Sequence, residues 1–194
     1  MAVRCPRCGR EYGEASFAFG RTIDCTCGST VGSEPPPAPP EDEPRFVLDA
    51  MLGRLAHWLR LLGFDTAWSN DIDRAELARR AFEEARIAVT RSRSLARRWR
   101  LPRLIVLESD ALAGQLRELE RAVALTGRER PFTRCSRCNE RLEAASAESV
   151  AAQVPERVQR EHSRFARCPR CGRVYWEGSH VARIARRLEQ LRAG

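Results

Sequence analysis

Residues 46–63 read Phe46-Val-Leu-Asp-Ala-Met-Leu-Gly-Arg-Leu-Ala-His-Trp-Leu-Arg-Leu-Leu-Gly63, and they contain the clearest structural pattern in the chain. Three apolar residues followed by Asp49 are typical of a buried strand that ends in a carboxylate. Directly after it, leucines and alanines recur at three- and four-residue spacing from Leu52 to Leu62, which predicts a helix that ends at Gly63. A strand that leads straight into a helix indicates a β-α unit.

The same alternation of apolar runs and helical periodicity continues to about residue 124. Further strands are predicted within 64–68, 87–90 and 104–107, and further helices within 73–84, 93–99 and 110–124. This β-α-β-α-β-α-β-α order predicts an α/β fold with a mainly parallel sheet flanked by helices. In such sheets ligands bind outside the carboxyl ends of the strands, which locates the expected site.

Acidic and hydroxyl residues follow the ends of all four predicted strands. Convergent carboxylates at one sheet edge suit Mg²⁺ or Mn²⁺, which prefer oxygen ligands and bridge a protein to phosphate, so a metal-dependent nuclease is the natural hypothesis. Asp49 is the main candidate, because a carboxylate is costly to bury without a cation. Asp73 and Asp110 also fit helix N-caps, and Asp71 fits either a turn or a metal ligand.

Two Cys-x-x-Cys pairs near the C-terminus, Cys135 with Cys138 and Cys168 with Cys171, have the spacing of a zinc site. Each pair brings two thiolates to one tetrahedral ion, and Gly172 provides the backbone freedom that the turn needs. Four-thiolate sites are usually closed, so this zinc is expected to be structural. A redox dithiol is the alternative.

A second cysteine set lies near the N-terminus. Cys5 and Cys8 are two residues apart, whereas Cys25 and Cys27 are separated by one, and the motif Cys-Pro-Arg-Cys-Gly of residues 5–9 recurs at 168–172. We interpret residues 1–32 as another zinc ribbon, for a total of one or two structural zinc ions. Residues 33–45 are rich in proline and acids and predict a semi-rigid linker that makes this ribbon a separate module.

Composition favours a nucleic-acid partner. The formal net charge is +8, and all 34 basic residues are arginine, whose planar fork of donors suits phosphate. A basic surface without a partner is the alternative. The sequence has neither a membrane helix nor a signal peptide, so we expect no membrane association and a cytoplasmic location.

Several motifs together resemble the Mut-seven C-terminal RNase domain family. They are the stretch 46–63, Asp71-Ile-Asp73, the run 87–91, Gln115-Leu116, residues 134–139 and residues 165–180, in that order. The resemblance covers about residues 46–190. It implies a PIN-like ribonuclease domain at 46–133 and a C-terminal zinc ribbon with a terminal helix at 134–194. It also implies metal-dependent cleavage of RNA, with Mg²⁺ or Mn²⁺ bound by Asp49 and by Asp71 or Asp73.

One position departs from the family pattern. After the third strand the family has Thr-Arg-Asp, whereas this chain has Thr90-Arg91-Ser92, and a serine is a much weaker ligand for Mg²⁺ than a carboxylate. The chain is therefore either a metal-dependent ribonuclease or a catalytically weakened or inactive RNA-binding protein. A third alternative is a protein-interaction module in which both ribbons dock other proteins. The N-terminal ribbon is also a candidate site for a ribonucleoprotein or protein partner.

Four residues are predicted to contact RNA. Arg91 belongs to the family-like run, and Arg170 and Arg173 lie in the C-terminal ribbon beside Tyr175 and Trp176. The two aromatic residues fit either base stacking or the core of the ribbon. His180 follows Gly178-Ser179 where a terminal helix is predicted, a place that suits either phosphate binding or packing.

Overall fold

The computed structural model describes residues 2–35, 37–39, 42–176 and 178. The chain divides into two compact units. One combines Met1–Gly53 with Ala67–Glu108, and the other combines Arg54–Thr66 with Ser109–Gly194. Neither unit is continuous in sequence, because the chain leaves the first unit after residue 53 and returns to it at residue 67.

The N-terminal segment consists of two small antiparallel hairpins. Their strands are β1 (Ala2–Arg4) with β2 (Glu11–Gly13), and β3 (Ile23–Asp24) with β4 (Thr30–Val31). A 3-10 segment, Glu14–Gly20, connects the hairpins. Cys5, Phe17, Cys25 and Val31 are buried together between them, so this small core depends on the cysteines as much as on apolar side chains.

The rest of the chain alternates strands and helices before the C-terminal ribbon. The elements are β5 (Phe46–Leu48), α1 (Gly53–Leu61), β6 (Thr66–Ala67), α2 (Arg74–Glu83), β7 (Ile87–Thr90), α3 (Arg93–Arg98), β8 (Leu104–Val106) and α4 (Leu112–Val123). A 3-10 turn, Ala50–Leu52, leads from β5 into α1.

A four-stranded sheet of order β6-β5-β7-β8 organises these elements. β5 pairs with β7 and β7 with β8, both in parallel, as the β-α alternation predicts. Every residue of β5 and β7 is 0% exposed, so both faces of these central strands are covered. Within the first unit, Val47 and Ala88 pack with Leu77, Ala81 and Leu95 of the flanking helices α2 and α3. The predicted α/β fold with a parallel sheet is confirmed.

The C-terminal ribbon is a three-stranded antiparallel sheet of order β11-β10-β9. Its elements are β9 (Glu143–Ala145), α5 (Ala147–Val150), α6 (Glu156–Glu161), β10 (Phe165–Arg167) and β11 (Val174–Trp176). A 3-10 turn, Ala151–Gln153, follows α5. The two short helices lie in the long insertion between the cysteine pairs, and Val150, Val154 and Phe165 form a small core there. The predicted terminal helix lies outside the described residues.

One predicted helix cap is wrong. Asp73 caps α2 as expected, with its side chain accepting a hydrogen bond from the amide of Glu76. Asp110 does not cap α4, because the N-cap residue is Ala111. The side chain of Gln115 donates to the carbonyls of Ser109 and Asp110, at 3.1 and 3.4 Å, just before the helix begins.

Candidate active site and zinc centres

Strand register brings Asp49 next to Thr90 at the carboxyl edge of the sheet. Leu48 is paired with Val89 and Thr90 with Val106, so the residues that follow are neighbours as well. The amide of Asp49 donates to the carbonyl of Val89 at 3.0 Å, which extends the parallel ladder by one residue. Asp49 is half-buried at this edge, where the β-α pattern predicted a ligand site.

Thr90 is the residue that orients Asp49. Its hydroxyl is fully buried, donates to Oδ2 of Asp49 at 2.5 Å, and accepts from the amide of Ser92 at 2.9 Å. The hydroxyl of Ser92 in turn lies 2.8 Å from that of Ser94. A hydrogen bond from a buried hydroxyl restricts the rotation of the carboxylate. Sequence reasoning placed Thr90 at a strand end but missed this role.

The segment after β6 approaches Asp49 through Trp68. The indole Nε1 donates to the carbonyl of Ala50 at 3.0 Å, directly after Asp49. A Cβ atom on Gly53 would lie 2.6 Å from the Trp68 ring, so the glycine in the stretch 46–63 makes room for this contact. The contact anchors the beginning of the loop that carries Asp71 and Asp73.

The structure places the two loop acids differently. Asp73 Oδ1 accepts from the amide of Glu76 at 2.7 Å, so this oxygen is used in capping α2. Asp71 is exposed, and a hydrogen bond from the hydroxyl of Ser69 lowers the pKa of its carboxyl. Among the described residues, the groups of three or more side chains that could hold a metal ion are the two cysteine sets, and neither contains an acid.

Each cysteine set forms a compact four-sulfur group. Cys5 Sγ lies 3.6 Å from Cys27 Sγ, and Cys8 Sγ lies 3.5 Å from Cys25 Sγ. In the C-terminal set, Cys138 Sγ lies 3.4 Å from both Cys135 Sγ and Cys168 Sγ. Four thiolates that bind zinc at about 2.3 Å are roughly 3.8 Å apart, so both groups fit one tetrahedral zinc ion.

Each of the four cysteine pairs lies in a similar tight turn. The residue after the second cysteine has a positive φ and donates its amide to the carbonyl of the first cysteine, at 2.8 to 2.9 Å. These residues are Gly9, Gly28, Asn139 and Gly172. The pair Cys25 and Cys27 makes this turn with one residue fewer, so its irregular spacing does not prevent a zinc site.

A tyrosine hydroxyl supports each group. The repeat Cys-Pro-Arg-Cys-Gly-Arg-x-Tyr ends at Tyr12 and again at Tyr175, and each tyrosine hydrogen-bonds to the first cysteine of the other pair. The amide of Cys27 and then the Tyr12 hydroxyl lower the pKa of Cys25 to about 6. Burial opposes ionisation of Cys135, but the Tyr175 hydroxyl and nearby amides outweigh it and lower the pKa of Cys135 to about 6. Cys25 and Cys135 therefore favour the thiolate, the form that binds zinc, whereas burial and the neighbouring sulfurs raise the pKa of Cys138.

Polar contacts tie the chain at residues 60–66 to the C-terminal cysteine group. The buried guanidinium of Arg60 donates to the carbonyls of Thr66 and Arg137, at 2.9 and 2.7 Å. Asn139 accepts from the amide of Thr66 at 2.9 Å and donates to Asp65 at 2.8 Å. A cation near a four-thiolate zinc site offsets its net negative charge. Sequence reasoning missed Arg60 and Asn139 as supports of this site.

The structure describes three of the four residues that were predicted to contact RNA. Arg170 and Arg173 are exposed in the C-terminal ribbon, and Arg91 is half-buried after β7. Tyr175 is 8% exposed and packs against Cys135 and Cys168, which supports its interpretation as ribbon core. His180 lies outside the described residues.

Comparison with known families gives one match. The model of the Mut7-C RNAse domain family matches residues 44–188. The chain belongs to this family. The Mut7-C match includes Asp49, Thr90 and the C-terminal cysteine group, whereas the N-terminal cysteine group precedes it. No curated protein and no solved structure matches the chain. Within the described part of the chain, no helix is long and apolar enough to cross a membrane.

Proposed function

We propose that this protein is a metal-dependent ribonuclease of the PIN-like class, with Asp49 as its central carboxylate and RNA as its substrate. The observation that carries the proposal is the oriented Asp49 at the carboxyl edge of a parallel sheet, inside a Mut7-C RNAse domain. A carboxylate held by a buried hydroxyl at this edge is arranged for binding, because its rotation is already restricted.

The residues fit Mg²⁺ or Mn²⁺ in one particular way. Mg²⁺ commonly binds through one or two carboxylates and completes its shell with water and substrate phosphate. Asp49 supplies one carboxylate, and Asp71 and Asp73 on the following loop are the candidates for a second. When bound, the ion would activate water and neutralise charge on the scissile phosphate.

Thr90 and Ser92 have different roles beside Asp49 in this proposal. Thr90 holds Oδ2 of Asp49, which leaves Oδ1 for the cation. Ser92 stands at the N-cap of α3, where the family pattern has an acid, and its amide is bonded to Thr90. The hydroxyl at this position provides a neutral ligand in place of a charged one, which weakens ion binding.

Ser92 also favours a second candidate function, a non-catalytic RNA-binding protein. In that case the arginines and the zinc ribbons hold RNA, and the edge around Asp49 no longer cleaves it. The two candidates differ in whether added Mg²⁺ or Mn²⁺ produces cleavage.

The deciding experiment compares wild type, Asp49→Asn and Ser92→Asp on labelled single-stranded and structured RNA. The zinc-loaded protein is assayed with and without added Mg²⁺ or Mn²⁺. Omitting the ion is cleaner than adding EDTA, because EDTA would also remove the structural zinc. Asp49→Asn preserves the shape of the side chain, and the mutant, purified identically, also reveals any contaminating nuclease.

Ion-dependent cleavage that is lost in Asp49→Asn and increased in Ser92→Asp is the expected result. If Ser92→Asp and wild type both bind RNA without cleaving it, the binding protein is the correct function. Cleavage that persists in Asp49→Asn would exclude Asp49 as the central carboxylate.

A further inference from the structure

The most basic part of the chain surrounds helix α3. Residues 85–107 contain seven arginines and no acidic residue. On α3 and just after it, Arg97, Arg98 and Arg100 are exposed. Arg93, at the start of the helix, pairs with Glu108 at 2.9 Å. Positive charge is therefore concentrated toward the end of α3.

The N-terminal ribbon adds a fourth arginine at the same place. Arg21 forms an antiparallel β-bridge with Trp99, and the amide of Arg100 donates to the carbonyl of Gly20 at 2.6 Å. Thr22 donates its amide to the carbonyl of Arg98 at 2.7 Å and its hydroxyl to that of Arg97 at 2.9 Å. Thr22 thereby satisfies carbonyls at the end of α3 and holds Arg21 beside it.

We call Arg21, Arg97, Arg98 and Arg100 the arginine surface. By contrast, Arg79 and Arg80 of α2 in the same unit are paired with Glu76. Among the residues that the structure describes, neither Arg97 nor Arg98 forms an ion pair or donates a side-chain hydrogen bond. Grouping exposed like charges does not stabilise the fold, so their position is better explained by an external anion.

We propose that the arginine surface binds the phosphodiester backbone of RNA, which places the N-terminal zinc ribbon in the RNA interface. The proposal rests on the proposed function and specifies where the substrate lies. Helix α3 starts directly after Ser92 and is about 9 Å long, so one RNA strand can reach both the edge around Asp49 and the arginine surface. The arginine surface extends from the N-terminal ribbon to the end of α3. It therefore offers several neighbouring positive charges to the successive phosphates of an RNA strand.

The test measures the affinity for a labelled single-stranded RNA as a function of salt. Wild type is compared with the double variant Arg97→Gln/Arg98→Gln and with Arg21→Gln, all as full-length zinc-loaded protein without Mg²⁺ or Mn²⁺. The control is Arg157→Gln/Arg160→Gln, which removes the same charge from α6, another exposed six-residue helix. Circular dichroism and zinc content verify that each variant is folded.

Each lost phosphate contact should lower the slope of log affinity against log salt by about 0.7. We therefore expect a decrease of about 1.4 and at least a tenfold loss of affinity at 0.1 M salt for Arg97→Gln/Arg98→Gln. Arg21→Gln should lose about half of that slope, and the control should change neither quantity. Unchanged binding in the α3 variant, an equal loss in the control, or no RNA binding by wild type would each overturn the proposal.

This outcome is separable from the test of catalysis. Wild type that binds RNA through the arginine surface without cleaving it would leave this proposal standing and the ribonuclease function refuted. If wild type cleaves RNA and the arginine variants bind RNA as tightly as wild type, the ribonuclease function stands and the arginine surface is refuted.

Discussion

Asn139 offers a test of how the C-terminal cysteine group is supported. It has a φ of 67°, in the left-handed region, and its side chain bonds to both the Thr66 amide and Asp65. Two substitutions separate the contribution of its backbone conformation from that of its side-chain hydrogen bonds. Asn139→Gly keeps the backbone conformation at no steric cost and removes both side-chain hydrogen bonds, whereas Asn139→Ala removes them and also strains the backbone.

The expected magnitude follows from the groups left without partners. Thr66 is 0% exposed, and a buried amide that loses its partner costs about 1–3 kcal/mol. Asp65 retains Arg134 at 3.3 Å, so losing the second hydrogen bond costs less, about 1 kcal/mol. We expect Asn139→Gly to lower the free energy of unfolding by about 2–4 kcal/mol, and Asn139→Ala by about 1 kcal/mol more.

Urea unfolding at neutral pH with excess zinc measures these changes, and Glu140→Gln, at the exposed neighbouring position, is the control. Asn139→Gly within about 0.5 kcal/mol of wild type would refute the role of the side chain, since that is the range of ordinary surface substitutions. Asn139→Ala more stable than Asn139→Gly would refute the role of the backbone.

Three further predictions concern the zinc centres and the docking of the N-terminal ribbon. Metal analysis of the purified chain should find two zinc ions, and Cys25→Ser should retain one, because the four sulfurs of each set are close enough for one ion; two ions in the variant would contradict the N-terminal site. Gly20→Ala should destabilise the protein by about 2 kcal/mol or more, because its Cβ would lie 2.3 Å from the Arg100 carbonyl at a φ of 74°. Gly13→Ala, with no atom within 4 Å of its Cβ, should be near neutral, and equal effects in thermal unfolding would be inconsistent with the docking. Tyr175→Phe and Tyr12→Phe should each weaken zinc binding at their own site by about tenfold, as losses of outer hydrogen bonds do, in competition with a chromophoric chelator; unchanged affinity would show that the hydroxyls are dispensable.

Local sequence patterns predicted a large part of this structure. The strands at 87–90 and 104–106 and the helices around 74–83 and 112–123 follow from periodicity, because residues near in sequence share one element. The cap formed by Asp73 spans four residues, and each cysteine turn spans four or five. Such features need no knowledge of the rest of the fold.

The element order, the cysteine pairs and the position of Asp49 at a strand end all follow from the amino-acid sequence. The side chains that meet at Asp49 and at the cysteine groups depend on how distant segments pack. Thr90 reaches Asp49 across 41 residues, Asn139 reaches Asp65 across 74, and Thr22 reaches Arg97 across 75. These contacts leave no periodic signal, because a hydrogen bond between distant segments depends on strand register and packing rather than on spacing along the chain.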